Sequence, residues 1–584
     1  YYISEKKDQV FAALRKNVKI TKENIPAATQ LFTPAWIVKY MVENSLGRLW
    51  LEHDRTESGL SNEYINASYY GWKYYLEEAE QDPEVQKQLD EIREKSRAIK
   101  PEEIKVLDPC MGSGHILVYA FDVLFEIYQS AGYTQRDAVR LIVEKNLYGL
   151  DIDDRAYQLA YFAVMMKARK HDRRFFIRGI TPNLCSIQES KGLISFEHGA
   201  GQLSLNDLHR ETANYLIRAF QDAKEYGSIL NIEQRDYDGL LSYIEQLRQN
   251  GADDLLMSIW LNNISQVMPA LIKQAKIMVQ KYDVVVTNPP YMGSRGMGKK
   301  LSEFVKKNYP DSKSDLFAAF VEKCEGMTRS KCYQAMITQH TWMFLSSYEK
   351  LRLKLLSKDI VNMVHLGAKA FEEIGGEVVQ TTAFVLRNIS LKDYKASFTR
   401  LIDYGSQQGK ENAFLAKQNL YIAQKENFSK IPGMPIAYWA SDKMINIFVH
   451  SRTIQEISPP RFGMSTSDNN RFVRCWYEVS SGKIAFPVKR LQYVNKNKKW
   501  YPYNNGGKFR KWHGNNLDVV NWANNGNEII NYSRAAVRNK DYYFHEGITW
   551  SDITSGKLSV RCFDFGYLFS SVGHGIFISG DQKN

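Results

Sequence analysis

From residue 104 onward, short apolar runs alternate with stretches whose hydrophobic positions recur every three to four residues. The runs at 104–108, Leu147–Asp151, Tyr282–Thr287, 332–338 and 360–366 are five to seven residues long, a strand's length, and predict β-strands. Helical periodicity begins near Gly114 and again near Thr134. Such alternation predicts an α/β fold, a parallel sheet with helices on both faces. Residues 1–100 read as a helical N-terminal part, with Ile37, Val38, Met41 and Val42 forming an apolar stripe. The charged stretch 77–100 reads as a solvated helix. Residues from about 190 to 280 break the alternation with helical, charge-rich sequence, read as an insertion above the sheet. Past Pro459-Pro460, Gly, Asn, Tyr and Trp become frequent and short β-like runs replace the helices. A boundary is therefore placed near 440, with 101–440 one domain and 441–584 an α+β, β-rich one.

Charge adds a partner class. Lys and Arg number 77 against 65 Asp and Glu, for a net +12 and a pI near 9.0. Between 451 and 560 the count is 17 against 8, so the surplus concentrates in the last region and favours a polyanion. Its interleaved aromatics and amides suit phosphate and base contacts. Six scattered cysteines without a Cys-x-x-Cys pair argue against a disulfide framework or zinc site, so no metal is expected. Without an apolar stretch of about 18 residues, no membrane span is expected, and the chain reads as cytoplasmic. It opens on Tyr1 without a Met and stops abruptly at Asn584, which reads as a piece of a longer polypeptide.

Asn288-Pro289-Pro290-Tyr291 stands directly behind the run Tyr282–Thr287. Both the Asn side-chain carbonyl and the first prolyl carbonyl can accept hydrogen bonds from a planar NH2 group. The prolines stiffen the backbone, and the Tyr ring offers a stacking face. The bland alternative is a strand followed by an Asn-Pro turn.

In the segment from Val106 to His115, a strand ends in Asp108-Pro109 and turns through Gly112-Ser-Gly114 into a helix. The glycines permit a tight turn and close approach to a bound molecule. Leu117 breaks the dinucleotide fingerprint, and the Asp108 carboxylate would repel pyrophosphate. A ligand carrying an ammonium and a sulfonium, such as S-adenosylmethionine, fits better. The next strand ends in Asp151-Ile152-Asp153: Asp151 is placed to accept ribose hydroxyls, with Ile152 against an adenine face. Asp153 reads equally as the cap of the helix that follows. Gly293 to Lys300 has the spacing of a phosphate loop but Lys where Ser or Thr is needed. It reads as a mobile basic loop near the substrate.

With these motifs in this order, the chain resembles the amino-group methyltransferases acting on DNA adenine, most closely the PglX type of bacteriophage exclusion (BREX) systems. Type IIG restriction-modification enzymes are similar too, including the 506–512 segment Gly-Gly-Lys-Phe-Arg-Lys-Trp. Gln30-Leu-Phe-Thr33-Pro34 looks like the family element that meets the methionine end of the cofactor. Thr181-Pro-Asn183-Leu184 falls where the family places a polar residue on the cofactor's adenine amino group. The stretch 314–317 and the pair His365 to Phe371 and Thr381 to Phe384 match later elements. The resemblance implies a Rossmann-like S-adenosylmethionine-dependent methyltransferase sheet followed by a target recognition domain, incomplete here. It also implies transfer of a methyl group to N6 of an adenine flipped out of double-stranded DNA.

The site implied is catalytic Asn288, Pro289, Pro290 and Tyr291, with Thr33, Pro34, Asp108, Pro109, Gly112, Gly114, Asp151, Ile152, Asn183, Leu184 and Asn288 about the cofactor. Arg295, Lys299, Lys508, Arg510, Lys511 and Trp512 are the residues expected on DNA. Other BREX defence proteins and an acidic, DNA-mimicking phage inhibitor are the further partners expected. Competing readings are a type IIG-like modification enzyme, a DNA-reading and cofactor-sensing subunit with little turnover, and a methyltransferase for glutamine amides, cytosine N4 or RNA guanine.

Overall fold

The computed structural model describes residues 4–15, 18–29, 31–54, 66–95, 99–193, 207–250, 255–371, 379–552 and 557–577. They fall into two compact units, Tyr1–Ile445 and Asn446–Asn584.

The first unit is built on a nine-stranded sheet of β1 (Val106–Asp108), β2 (Leu147–Asp151), β3 (Asn183–Ser186), β4 (Tyr282–Thr287), β5 (Thr328–Gln339), β6 (Asp359–Gly367), β7 (Thr381–Arg387), β8 (Lys395–Arg400) and β9 (Leu420–Gln424), in the order β3-β2-β1-β4-β5-β7-β6-β8-β9. The pairings among β3, β2, β1, β4 and β5 are parallel, and β7 enters antiparallel between β5 and β6. Strand alternation sorts the side chains into two cores. Val284 and Val286 of β4 join one, with Tyr40, Leu117 and Phe121, whereas Val285 joins the other, with Leu271, Met336 and Phe384. Both faces are covered, which is why β4 reads as an unbroken apolar run. The chain leaves β1 for β2 on one side and later adds β4 on the other. In open α/β sheets the crevice at such a reversal, outside the carboxyl ends of the strands, is where ligands bind.

The helices that matter to the site are α1 (Ala35–Val42), α2 (Pro83–Lys95), α3 (His115–Ser130), α4 (Asp154–His171), α5 (Leu255–Val279), α6 (Lys299–Asn308) and α7 (Leu316–Met327). One expectation changes here. Among the described residues of the charged 77–100 stretch only α2 is α-helical, and α2 is not a solvated rod: Val85 and Leu89 are buried, and Arg93 is buried against Glu52 and Glu78. The described helices of the 190–280 segment pack onto the sheet. Leu271, Ile272 and Ala275 of α5, and Leu216, Phe220 and Leu240 from the chain before it, lie in the same core as β1, β2 and β4. Amphipathic helices of this kind must bury their apolar stripe somewhere, and the nearest apolar surface is the sheet.

The second unit holds two small sheets. One joins β10 (Val473–Cys475), β12 (Asp518–Asn521), β11 (Trp500–Asn504) and β15 (Leu568–Phe569); the other joins β14 (Val560–Phe563), β13 (Gly547–Trp550) and β16 (Gly575–Ile576). Its main core packs Met464, Phe472, Tyr501, Tyr503, Val520, Leu568 and Phe569. The six cysteines are all free; Cys185 and Cys324 are buried and Cys562 is exposed. Among the described residues no helix is long and apolar enough to cross a membrane, and no cluster of His, Cys, Asp or Glu is placed to hold a metal ion.

Candidate functional site

At the reversal between β1 and β4 the first unit opens into a cavity of about 120 Å³, at the place where open α/β sheets bind small molecules. Six chain segments line it: residues of the 25–31 stretch, the β1–α3 turn, the β2–α4 turn, residues 225–228, the residues just after β4, and the first turns of α7.

The β1–α3 turn sets the floor. Asp108 is 1% exposed; its Oδ1 accepts from the Cys110 amide at 3.0 Å and from the Thr287 hydroxyl at 2.7 Å, while Oδ2 is buried without a partner. Burial, with the nearby Asp151 charge, pushes its carboxyl up to about 7. A buried carboxylate with one empty acceptor beneath a cavity suits a cationic group of a ligand. Gly112 and Gly114 both take positive φ, but for different reasons. A Cβ on Gly112 would meet nothing within 4 Å, whereas one on Gly114 would lie 3.0 Å from the Ala160 backbone on α4. Gly114 thus serves helix packing and Gly112 the open side, where both had been expected to make room for a ligand.

Asp151 is raised to about 6, chiefly by burial. Its two oxygens accept the Gly112 and Asp153 amides at 2.9 and 2.8 Å, and each keeps a lone pair for a hydroxyl. Ile152 lines the cavity beside it. Asp153 does cap α4, accepting from the Arg155 amide at 2.9 Å.

Behind β4, the Asn288 side-chain nitrogen donates to the Leu31 carbonyl at 3.2 Å and to the Thr33 hydroxyl oxygen at 3.0 Å. That fixes the amide so that Oδ1 is the free end, and Oδ1 is buried without a partner. Asn288 and Pro290 line the cavity; Pro289 is buried and Pro34 begins the turn into α1. Tyr291 donates to the Ile337 carbonyl at 3.1 Å and meets Phe317 edge-on at 6.1 Å, so its ring is fixed on two sides. Asp315, the cap of α7, accepts the Met292 and Phe317 amides at 3.0 and 3.2 Å and ties the 314–317 element to the loop after Tyr291.

The expected set is not brought together whole. Asn183 opens β3 opposite Tyr148, three positions short of the Asp151–Ser186 pairing at the carboxyl end. At about 3.3 Å per residue that is roughly 10 Å from the cavity level. Its side chain donates to the Glu144 carbonyl at 2.7 Å, and Leu184 is core. Both leave the cofactor set. Gln30 lies outside the described residues. The 293–300 loop is held rather than loose: Ile20 N donates to Gly296 O at 3.1 Å, Ser294 N to Ser314 O at 2.9 Å, and Lys300 pairs with Asp222 at 2.9 Å. Arg295 and Lys299 are exposed on it. In the second unit Lys508, Arg510 and Lys511 are exposed and Trp512 is 65% exposed. Backbone bonds from Cys562 N to Trp512 O at 2.8 Å and from Arg510 N to Ser559 Oγ at 3.0 Å fix that loop.

Sequence reasoning missed residues 225–228. Ser228 donates its hydroxyl to the Pro109 carbonyl, and Gly227, at φ 62°, lies against Ile152. Tyr226 stacks on Phe304 of α6, with centroids 4.3 Å apart. Their only local signal is the glycine.

Residues 145–371 match the family model described as Eco57I restriction-modification methylase. In an alignment 590 positions long that covers 98% of this chain, the sequence is 44% identical to an adenine-specific methyltransferase PglX of Lacticaseibacillus casei (strain Zhang), of which 48% is covered. In one 606 positions long that covers 100% of this chain, it is 41% identical to an adenine-specific methyltransferase BrxX of Escherichia coli O9:H4 (strain HS), again with 48% of that protein covered. The chain spans about half the length of these curated relatives. Among solved structures, the Type IIL restriction-modification enzyme MmeI in complex with DNA aligns over 96% of this chain and 64% of its own, at 12% identity and a TM-score of 0.47, too loose a likeness to argue from.

Proposed function

The chain belongs with the adenine-specific methyltransferases PglX and BrxX, and from that kinship we propose that it transfers a methyl group from S-adenosylmethionine to N6 of adenine in double-stranded DNA. The observation that carries this reading is the buried, unpartnered Asn288 Oδ1 at the edge of the cavity.

The cavity fits the cofactor. Asp108 Oδ2, an acceptor without a partner, would take its ammonium, Asp151 its ribose hydroxyls and Ile152 its adenine face, with Pro109 and Gly112 lining the cavity and Thr33 and Pro34 following Leu31 in the chain. S-adenosylmethionine supplies an electrophilic methyl group at its sulfonium. The acceptor nitrogen is a poor nucleophile because its lone pair is delocalised into the purine ring. Asn288 Oδ1 and the Pro289 carbonyl accept its two N–H bonds and favour a tetrahedral nitrogen with the lone pair free. Those bonds strengthen as positive charge develops, so they stabilise the transition state more than the ground state. Bound there, the cofactor would present its methyl group to that lone pair, and Asn288 Oδ1 and the Pro289 carbonyl would hold the nitrogen in place for it. Because N6 is paired inside the duplex, the base must be extruded, and the Tyr291 ring, held by Ile337 and Phe317, is the platform it stacks against.

The unit Asn446–Asn584 is assigned target recognition, with Lys508, Arg510, Lys511 and Trp512 on DNA, joined by Arg295 and Lys299 of the first unit. The proposed setting is a BREX phage-defence system, where other defence proteins and acidic, DNA-mimicking phage proteins are the further partners. Coverage of half of each relative supports a second reading, in which the chain reads DNA and senses cofactor but turns over only with further polypeptide.

Incubating the protein with radiolabelled cofactor and DNA tests both readings. Label should appear on N6-methyladenine with the wild type and fall by about two to three orders of magnitude for Asn288→Ala, with cofactor binding retained. Adenine methylation unchanged in that variant would reject the site. Cofactor binding without label would select the second reading.

A further inference from the structure

The cavity has no polar partner from β3 or from the turn after it. Asn183 points elsewhere, and the next two polar side chains, Ser186 and Gln188, turn toward Asp154 and do not line the cavity. Yet the adenine amino group of a bound cofactor is a donor that needs an acceptor, or it is buried at a cost of about 1–3 kcal/mol.

Most polar side chains lining the cavity are already committed. Thr29 donates to Ile25 O at 2.8 Å, Ser228 to Pro109 O, and Asp153 caps α4. Asp151 and Asn288 are needed for the ribose and the target amine. Glu225 is left. Its carboxylate lies within the influence of the Leu301 amide near the start of α6, and among the described residues it forms no ion pair. Burial raises its pKa above the usual carboxylate value, against the pull of Leu301, Lys22 and Lys300. The path from the ribose to this group is short. Ile152 follows Asp151 in the chain, and Gly227 packs on Ile152 so tightly that an added Cβ would lie 3.0 Å from its Cγ2. A flat ring resting on Ile152 therefore abuts the segment that carries Glu225.

Resting on the cofactor reading above, we propose that Glu225, supplied by the 190–280 segment, is the acceptor for the exocyclic amino group of the cofactor's adenine and sets the site's preference for adenosine. The segment would then be part of the cofactor site, doing the work expected of Asn183.

Calorimetric titration of the full chain tests this without turnover, using S-adenosylhomocysteine and S-inosylhomocysteine, whose 6-oxo group accepts where the amino group donates. The wild type should prefer the adenosine compound by roughly tenfold or more, since a site built around a hydrogen bond rejects the analogue lacking it. Glu225→Gln, whose amide both accepts and donates, should shrink that preference about tenfold, mainly by gaining affinity for the inosine compound. Its melting temperature should stay near the wild type's, because the Leu301 amide keeps an acceptor. An unchanged preference in Glu225→Gln, with both proteins folded and binding, would overturn the assignment. Failure of the wild type to bind either compound would instead sink the cofactor reading, and this assignment with it.

Discussion

Asn288 and Thr33, 255 residues apart, are joined by a 3.0 Å hydrogen bond in which the amide nitrogen donates to the hydroxyl oxygen. With the Leu31 carbonyl as second acceptor, that bond decides which end of the amide is free. A side-chain amide is nearly symmetric in shape, so only its partners tell oxygen from nitrogen. Thr33→Val keeps the shape and removes one partner. Methyl transfer at saturating cofactor should fall by about three- to tenfold, the worth of one orienting hydrogen bond. An unchanged rate would mean that Leu31 alone holds the amide.

The two glycines of the β1–α3 turn should fail differently. Gly114→Ala meets the Ala160 backbone at 3.0 Å and imposes a side chain on φ 86°, so the melting temperature should drop by several degrees. Gly112→Ala has space but sits at φ 51° on the cavity side, so a milder loss of stability should accompany weaker cofactor binding. Thermal melts and titration of both variants separate packing from ligand approach. Equal effects on both observables would erase the distinction.

What the sequence revealed follows from how local each signal is. β4 ends on Thr287 as its apolar run predicted, because a strand buried on both faces has no other way to read. Asp108 and the glycine turn were equally legible, since strand, acid and turn are consecutive. Asn183 misled because order along a chain does not reveal strand register: the strand begins at that residue instead of ending near it. Arg93 looked like one charge among many, and only the fold brings Glu52, Glu78 and Arg387 around it. Residues 225–228 reach the cavity through contacts with Pro109 and Ile152 that no periodicity encodes.

Cofactor affinity should depend on pH through Asp108. Its carboxyl, at about 7 in the free protein, is partly protonated below neutrality, and an ammonium beside it favours the ionised form. Binding should therefore tighten as pH rises from 6 to 8 and release a fraction of a proton near pH 6.5. The free fold moves the other way: a carboxyl raised on folding binds its proton more tightly in the native state, so stability declines as pH rises toward 7. Titration of S-adenosylhomocysteine in buffers of different ionisation enthalpy measures the proton. A flat affinity from pH 6 to 8, or one equally steep in Asp108→Asn, would remove Asp108 from the ligand.

The acid limit of the first unit should be set by Glu52. Its Oε1 lies 2.9 Å from Arg93 and 3.8 Å from Arg387, its other oxygen accepts from the Tyr333 hydroxyl, and the side chain is 10% exposed. Burial alone would raise its pKa, but Arg93, then Arg387 and Arg48, overcome it and hold the carboxyl at about 2. A carboxyl depressed on folding stabilises the native state above its unfolded value near 4.5, and that contribution is lost as pH falls toward 2. Urea midpoints of the wild type should thus drop between pH 5 and pH 3, and Glu52→Gln should flatten that slope while lowering stability at neutral pH. Arg93→Ala, which leaves Glu52 and Glu78 buried without their nearest cation, should cost about 3–5 kcal/mol. Replacing the pair together, as Arg93→Met with Glu52→Gln, should recover part of that loss, because no carboxylate at position 52 is then left without its partner. A double variant no more stable than Arg93→Ala alone would show that Glu78 and Arg387, not Glu52, carry the network.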